Sequence, residues 1–509
     1  MTGEDPRMRR RWLPTVIAIL LGHTIAQSVI DSEAALVAAF AAGGDYVLAA
    51  GTIEVREPLN AAVDLRIVGA GRSESVLHVA AAPVGVRVQG GAVVRFEALA
   101  LVHTADEGGD IVHVHDATLA LHDADVTFAA FATAADGAKP FGYGTGLVLT
   151  GVAHALVSDT VFGGHDLSAI EAYDRTTLDL RDSVLIDNGS GVFATDHARI
   201  RIENVMFTDH DGNALAARGQ AVVEVVRTSF VAAGRVDADF GRQFDAVRVG
   251  DEAVVTFERS LFRDHPRFAL SLFGSARVTS RGNLYEANGG MYDDLGLAFG
   301  AILVEDDAKL TVRGDIVRGN AGGVLELSGD ARVAVEGATY EGNGSWAPIY
   351  AVGRSELTLT GSRYAGNAGS IFVADEARVT LRDNEIVDNG ESAVWLGGDG
   401  YGELHGNTIR GSAEFGVQLG ERARALLVGN AISENRSGVA LYAASSARLE
   451  DNDVFANRRS GIAFLDASGG EVAGNRTRGQ PTGVLLAAGI VVDTADNVFE
   501  DNGEDVHTE

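Results

Sequence analysis

Short stretches in which apolar and polar residues alternate recur along most of the chain, and this period of two predicts β-strands. One unit reads Ser437-Gly-Val-Ala-Leu-Tyr442, then Ala447-Arg-Leu-Glu-Asp-Asn452, then Asp453-Val-Phe-Ala-Asn457. Within this unit Leu449 can point inward while Arg448 faces water. Each unit therefore predicts three short strands separated by turns.

Asparagine recurs at a nearly constant interval in two columns. The first has steps of 22 or 23 residues and comprises Asn384, Asn407, Asn430, Asn452, Asn475 and Asn497. The second comprises Asn320, Asn343, Asn367 and Asn389 and resumes at Asn435 and Asn457. Asparagine tolerates the left-handed conformation at a tight turn, and its amide can bond to the asparagine above or below it. The columns therefore predict stacked coils of about two dozen residues, which is a solenoid.

A leucine-rich repeat is a weaker alternative, because no leucine skeleton recurs at its spacing. Extra residues interrupt the repeat around 131–143, 234–243 and 289–300, where we expect loops at turns. Without these loops the chain predicts roughly eighteen coils. We divide them into looped coils over 46–319 and regular coils with a polar tail over 320–509.

The N-terminus has the features of a secretory signal. Four arginines between residues 7 and 11 precede the apolar run 12–21, and Thr24 and Ala26 supply small residues for cleavage. We predict a signal peptide over 1–26, since the run is short for a bilayer. An uncleaved anchor is the alternative. The expectation is a secreted, periplasmic or cell-surface protein with no stable membrane insertion after cleavage.

A capping helix is predicted within residues 27–45. Ser32 is its N-cap, and Leu36, Val37 and Phe40 are its apolar residues. The helix is followed by Gly44-Asp-Tyr-Val-Leu-Ala-Ala-Gly-Thr52 and by Ile67-Val-Gly-Ala-Gly71. A solenoid exposes its interior at each end, and something must cover it.

This order of segments resembles the start of pectate-lyase-like parallel β-helix proteins, in which such a helix caps the first coil. The resemblance implies an all-β fold, a right-handed parallel β-helix solenoid with a short N-terminal capping helix. Internal asparagine ladders are also a feature of that superfamily.

Composition excludes several classes of function. The formal net charge is −30, and the sequence does not predict a concentrated basic surface, which argues against a nucleic-acid partner. The absence of cysteine excludes disulfides, thiolate metal sites and a cysteine nucleophile.

Histidine replaces asparagine at one turn column. His165 is followed by Asn188 after 23 residues and by His210 after 22 more, and His265 follows two coils later with inserted residues between. Each has charged neighbours, which are Asp166, Asp209, Asp211, Asp264 and Arg267. Histidine and carboxylate on one face would suit acid–base chemistry on a polysaccharide. The alternative is that these residue types simply tolerate the turn.

Metal sites have weaker support. Histidines two coils apart are separated by about 9.6 Å, too far to share one ion, and we assign no metal site. His113 and His115 alternate with valines and are predicted to face solvent. The acidic clusters 305–307 and 293–294 could hold Ca²⁺, but neither matches an EF-hand or nonapeptide repeat, so solvated turns are the preferred interpretation. No other cofactor is predicted.

Catalytic motifs of the superfamily are incomplete in this chain. Gly163-Gly-His165-Asp departs from the Gly-His-Gly of polygalacturonase-like hydrolases, and Asp264-His-Pro only partly matches the Asp-Pro-His-Asp of alginate epimerase-like proteins. Lys139, in the first inserted loop, is the candidate base for a lyase. The leading hypothesis is a secreted protein that binds or processes extracellular polysaccharide, with any site between 131 and 300. If the protein is an enzyme, we expect a lyase, hydrolase or epimerase. The alternative is a non-catalytic structural or adhesive rod.

Overall fold

The computed structural model describes residues 28–104, 108–129, 144–234, 244–292 and 297–509. The predicted signal peptide and Lys139 lie outside the described residues. Over the described residues the chain forms one helix and three parallel sheets, which enclose a continuous apolar core from Ile30 to Leu486. A two-stranded antiparallel ribbon, Met291–Tyr292 with Leu297–Ala298, lies in the third predicted loop.

The helix spans Glu33–Ala42 and covers the first coil, as predicted. Ser32 is its N-cap, and its hydroxyl accepts a hydrogen bond from the backbone N–H of Ala35. Leu36 and Phe40 are buried against the core, whereas Val37 is exposed. The helix therefore turns only a narrow apolar stripe toward the coil.

Sheet 1 consists mainly of five-residue strands. Its strands are Ser28–Ile30, Gly44–Leu48, Leu65–Val68, the first halves of Val93–His103 and Thr118–Thr127, His154–Ser158, Thr177–Arg181, Arg199–Glu203, Val222–Val226, Val254–Glu258, Arg277–Arg281, Lys309–Arg313, Arg332–Glu336, Glu356–Thr360, Arg378–Arg382, Tyr401–His405, Arg424–Val428, Ser446–Glu450 and Gly469–Ala473.

Sheet 2 consists mainly of three-residue strands. Its strands are Gly51–Val55, Ser75–Val79, the second halves of Val93–His103 and Thr118–Thr127, Val161–Gly163, Val184–Ile186, Met206–Thr208, Ser229–Val231, Leu261–Arg263, Leu284–Glu286, Ile316–Arg318, Thr339–Glu341, Arg363–Ala365, Glu385–Val387, Thr408–Arg410, Ala431–Ser433, Asp453–Phe455, Arg476–Arg478 and Val498–Glu500.

Sheet 3 completes each coil. Its strands are Leu59–Ala61, Val84–Gln89, Asp110–His115, Leu147–Thr150, Ser168–Ala172, Ser190–Ala194, Leu215–Ala217, Val247–Val249, Leu270–Leu272, Ile302–Val304, Leu325–Leu327, Ile349–Ala351, Ile371–Val373, Val394–Leu396, Phe415–Leu419, Ser437–Leu441, Ser460–Phe464, Thr482–Leu486 and Glu504–Thr508. The described residues thus form about 19 coils, close to the predicted number. All three predicted loops lie between sheet 2 and sheet 3.

Two columns of buried polar side chains follow the two turns that flank sheet 2. In the first column the amide nitrogen of Asn407 donates to Oδ1 of Asn430 at 2.9 Å and to the carbonyl of Leu381 at 2.9 Å. The predicted ladder is confirmed, but asparagine is not the left-handed residue of the turn. That conformation belongs to the preceding residue, such as Asp383 or Gly406, and it directs the next side chain into the interior.

Candidate functional site

The outward side chains of sheet 3 form a single column that runs the length of the solenoid. Successive strands pair in register and place one residue from each coil in this outer column, which consists of Asn60, Arg87, His113, Val148, Glu171, Phe193, Ala216, Arg248, Ser271, Leu303, Glu326, Tyr350, Phe372, Trp395, Gln418, Ala440, Ala463, Leu485 and His507. Two parts of the column have side chains suited to binding or chemistry.

The first part is an aromatic platform formed by Trp346, Tyr350, Phe372 and Trp395. Tyr350 stacks on Phe372 with ring centroids 5.4 Å apart, and Trp395 meets Phe372 edge-on at 5.0 Å. Trp346 precedes the strand of Tyr350 and lies within 6.0 Å of all three rings. Trp346 is 53% exposed, and the other three are partly exposed. An exposed apolar cluster of this kind is usually a binding surface.

A shallow groove of about 330 Å³ continues the platform toward the C-terminus. It is lined by the aromatic residues Phe372, Trp395 and Tyr442. Gln418, Asp375 and Glu421 also line it. Apolar faces combined with a few polar groups at the edge are typical of small-molecule and sugar sites.

Glu326 lies one coil before Tyr350 in the outer column. Burial raises the pKa of its carboxyl to about 7, and the nearby charge of Glu305 adds to the shift. The N-terminal end of the platform therefore has a carboxyl group that is half-protonated near neutral pH.

The second part is a histidine–aspartate pair near the first inserted loop. His113 is partly exposed, and its Nε2–H donates to Oδ2 of Asp110 at 2.7 Å. Asp110 is buried, and its other oxygen accepts the backbone N–H groups of Gly144 and Thr145, each at 2.7 Å. The carboxylate is thus fixed and holds the imidazole with Nδ1 free to accept a proton.

Two further polar groups lie along the same column. Arg87 is paired in register with His113 on the preceding coil. Glu171 lies two coils beyond His113, and its Oε2 accepts a hydrogen bond from the hydroxyl of Tyr173 at 2.6 Å. Burial, reinforced by the charge of Glu171, holds the pKa of Tyr173 well above its usual value. The arginine cation, the histidine base and the tyrosine phenol therefore lie within a few coils of one another.

The histidines singled out in the sequence lie in the second ladder column, inside the solenoid. His165, His210 and His265 each expose 2% or less of their surface. The Nε2–H of His165 donates to the carbonyl of Val126 at 2.9 Å, and its Nδ1 accepts the N–H of Ala129 at 3.1 Å. A polymer outside the coils cannot contact these rings.

Burial also determines the charge of these histidines. It lowers the pKa of His165 to about 3, and those of His210 and His265 to about 4. Within the described residues, neither ring nitrogen of His210 has a hydrogen-bond partner at standard geometry, and Nε2 of His265 also lacks one. The three rings are neutral at physiological pH.

The charged residues that neighbour these histidines in the sequence lie in different surroundings from the buried rings. Asp166, Asp209, Asp211 and Asp264 are exposed at the outer side of the turns, and Asp209 and Asp264 adopt positive φ. Arg267 is buried, with its Nε 3.0 Å from Oδ1 of Asp245 and its guanidinium 4.2 Å from the ring centre of Phe299. Among the described residues, no group of three or more histidine or carboxylate side chains could hold a metal ion.

Sequence reasoning missed the platform, although a signal for it was present. Tyr350, Phe372 and Trp395 are 22 and 23 residues apart, which is the coil repeat. Aromatic residues at the repeat interval share one column, and strand alternation decides whether that column faces outward. His113 and His115 do face solvent as predicted, while Val112 and Val114 are buried.

Residues 347–503 match the family model described as "Right handed beta helix region". The chain is a right-handed parallel β-helix. No curated protein matches it significantly, and the described residues contain no helix that is long and apolar enough to cross a membrane.

Solved structures share the β-helix fold at low identity. The catalytic unit of a thermostable GH87 α-1,3-glucanase from Streptomyces thermodiastaticus strain HF3-3 is 12% identical, with a TM-score of 0.37 over 77% of this chain and 69% of that chain. The periplasmic alginate epimerase AlgG is 13% identical, with a TM-score of 0.32 over 70% of this chain and 77% of that chain. The Dettilon tailspike protein is 12% identical, with a TM-score of 0.31 over 64% of this chain and 62% of that chain. These likenesses concern the fold alone.

Proposed function

We propose that this β-helix is an extracellular protein that binds polysaccharide along the outer face of sheet 3, with the aromatic platform as its main contact. The observation that supports the proposal is the contact of four exposed or partly exposed rings over three successive coils. The C–H groups on the faces of a sugar ring pack on aromatic faces, which are the negative pole of the ring quadrupole. Gln418, Asp375 and Glu421 supply hydrogen-bond partners for hydroxyl groups at the groove.

A linear polymer fits this surface better than a small ligand. The platform and groove extend over the coils from Trp346 to Tyr442, and each coil advances the surface by about 4.8 Å. The groove is shallow, so it would leave a single sugar largely in water. Several consecutive sugars can each contact one coil, and their weak contacts add along the chain.

Affinity electrophoresis through gels that contain neutral or acidic polysaccharides tests the proposal. The protein should be retarded by at least one polymer, and Trp346→Ala with Trp395→Ala should weaken retardation about tenfold. Phe455→Ala is the matched control, because Phe455 is a partly exposed aromatic residue on sheet 2. Retardation by a neutral polysaccharide that survives the double substitution would contradict a site on the platform. Absence of retardation by any polymer would favour the structural rod.

Catalytic processing is a second candidate function, which the His113–Asp110 pair favours. With Nε2–H held by Asp110, Nδ1 of His113 can take a proton from a bound sugar. Arg87 would neutralise a uronate carboxylate and so acidify the adjacent C–H. As Nδ1 takes that proton, the C–H electron pair would form a C=C bond and the neighbouring glycosidic C–O bond would break. The leaving oxygen would take a proton from water and depart as an alcohol, which gives an unsaturated sugar.

Absorbance of unsaturated products, followed together with new reducing ends, tests this activity on uronate polymers. His113→Ala should abolish product formation, and Asp110→Asn should lower it at least tenfold, because Asp110 sets the tautomer. His197→Ala, at an exposed turn, is the control. Product formation unchanged in His113→Ala would exclude this histidine as the base.

A further inference from the structure

The outer face of sheet 1 has a charge opposite to that of the protein as a whole. Five consecutive strands between residues 277 and 382 present fifteen outward positions, of which seven are cationic, two acidic, five threonine and one alanine. The cations define the cation strip and are Arg277, Arg281, Lys309, Arg313, Arg332, Arg378 and Arg382. All seven are exposed. The chain as a whole carries a net charge of −30.

Most of this positive charge is not neutralised by ion pairs. Within the described residues, Arg277, Arg281, Lys309 and Arg382 have no carboxylate at ion-pair distance. The two outward carboxylates lie 3.6 Å from Arg313 and 3.5 Å from Arg332 and are themselves exposed. Exposed pairs of this length contribute little and exchange easily with another anion.

The cations form two rows with threonines between them. Arg277, Lys309 and Arg332 are paired in register at the start of successive strands, and Arg281 and Arg313 are paired at the end. The first and fifth residues of a strand are about 13 Å apart, and successive coils are about 4.8 Å apart. Thr279 and Thr311 lie between the rows. The face therefore has cationic side chains along both edges and threonine hydroxyls between them, and we call this strip of surface the trough.

We infer that the cation strip binds a linear acidic polysaccharide, with its carboxylate or sulfate groups on the two rows and its hydroxyls on the threonines. The inference deepens and rests on the proposed polysaccharide binding, but it concerns a different face of the solenoid. Acid groups that recur along a sugar chain at about the length of one coil can meet a cation in four of the five coils, since the strand Glu356–Thr360 presents none. Two rows leave room for one thin chain between them.

Other polyanions fit the strip less well. A duplex or a membrane surface is wider than the trough, and it would meet acidic residues at the adjoining turn, including Asp307 and Asp330. Proteins that bind single-stranded nucleic acid stack the bases on aromatic side chains. None of the fifteen outward positions in these described strands is aromatic.

Binding to soluble polymers, measured by calorimetry at low and at physiological salt, tests the inference. The polymers are polygalacturonate, a sulfated polysaccharide and a neutral glucan, with duplex DNA and anionic lipid vesicles as competing classes. We expect binding to the carboxylated polymer, the sulfated polymer or both, and the difference between them identifies the preferred anion. Arg277→Gln with Lys309→Gln should weaken it about fivefold at low salt and reduce its salt dependence.

Arg175→Gln with Arg476→Gln is the matched control, since it removes two exposed cations elsewhere. Equal weakening by the two double variants would overturn the inference, as would tighter wild-type binding to DNA or vesicles. The platform variants separate this result from the first proposal. Trp346→Ala with Trp395→Ala should weaken binding to the neutral glucan about tenfold and leave the salt-dependent part of acidic-polymer binding intact.

Discussion

The looped coils before residue 320 and the regular coils after it share one backbone but differ both inside and outside. Inside, the second ladder column contains His165, His210 and His265 in the first part and an almost unbroken run of asparagines in the second. Outside, the outer column of sheet 3 changes from titratable groups to the aromatic platform. The comparison shows that a regular interior does not make the exterior inert. The residues that pack inside the coils therefore do not determine which side chains face outward.

The largest expected effect concerns the interior of the regular coils. Asn407→Ala should lower the free energy of unfolding by about 4 kcal/mol, because it leaves several buried ladder groups without partners. Urea unfolding measures the change. Thr408→Ala, at the exposed neighbouring position, should cost less than about 1 kcal/mol. Similar effects of the two substitutions would mean that the ladder does not stabilise these coils.

A second prediction separates the histidine column from the asparagine column by pH. The folded pKa of His210 is about 4, below the ordinary value of 6.5, so the unfolded chain takes up the proton first as the pH falls. The stability of the wild type should therefore decrease from about pH 6.5 toward pH 4, by up to about 1.4 kcal/mol per pH unit for each buried histidine.

His210→Asn removes one of these groups and restores the residue type of the neighbouring coils. Its advantage over the wild type should grow to about 3 kcal/mol at pH 4, as measured by urea unfolding across the pH range. Burial raises the pKa of Asp315 to about 6, so its contribution to stability increases as the pH falls, opposite to that of the histidines. This contribution is the same in both proteins and cancels in the difference. A difference between the two proteins that is independent of pH would contradict the assignment.

The coil repeat and the ladders could be predicted from the sequence, since asparagine at a fixed interval of about one coil is typical of a stacked turn in a solenoid. The inward direction of His165 and His210 could not, because it depends on the left-handed residue before each of them, Gly164 and Asp209. The His113–Asp110 pair was also missed. It forms because the chain returns from the first loop at Gly144, whose backbone N–H donates to Asp110. The alternation of residues along the strands does not predict this contact.

A third prediction extends the aromatic exterior by one coil. Gln418 follows Trp395 in register, so Gln418→Trp should add a ring to the platform and raise polysaccharide affinity about threefold. Affinity electrophoresis measures the gain. Ala216→Trp, in the same column of the looped coils, should leave affinity unchanged. A gain from both would show that any aromatic residue on sheet 3 suffices.

The smallest expected effect is at Glu326, beside the platform. Its carboxyl is neutral below about pH 7 and charged above it, since burial raises its pKa. Affinity for an acidic polymer should fall about twofold between pH 6 and pH 8, and Glu326→Gln should abolish this dependence. Calorimetry at both pH values measures the effect. A neutral glucan, which carries no charge, should show no change, and an equal change with it would point to another titrating group.

Tryptophan fluorescence tests the central claim most directly, since the chain has three tryptophans and two of them, Trp346 and Trp395, belong to the platform. The third, Trp12, lies in the predicted signal peptide and can be replaced by phenylalanine. In that variant, polysaccharide that binds the platform should change the emission in a saturable way, with the same dissociation constant as electrophoretic retardation. Retardation by a neutral polysaccharide with no change in emission would contradict the account, because that polymer would then bind elsewhere on the solenoid.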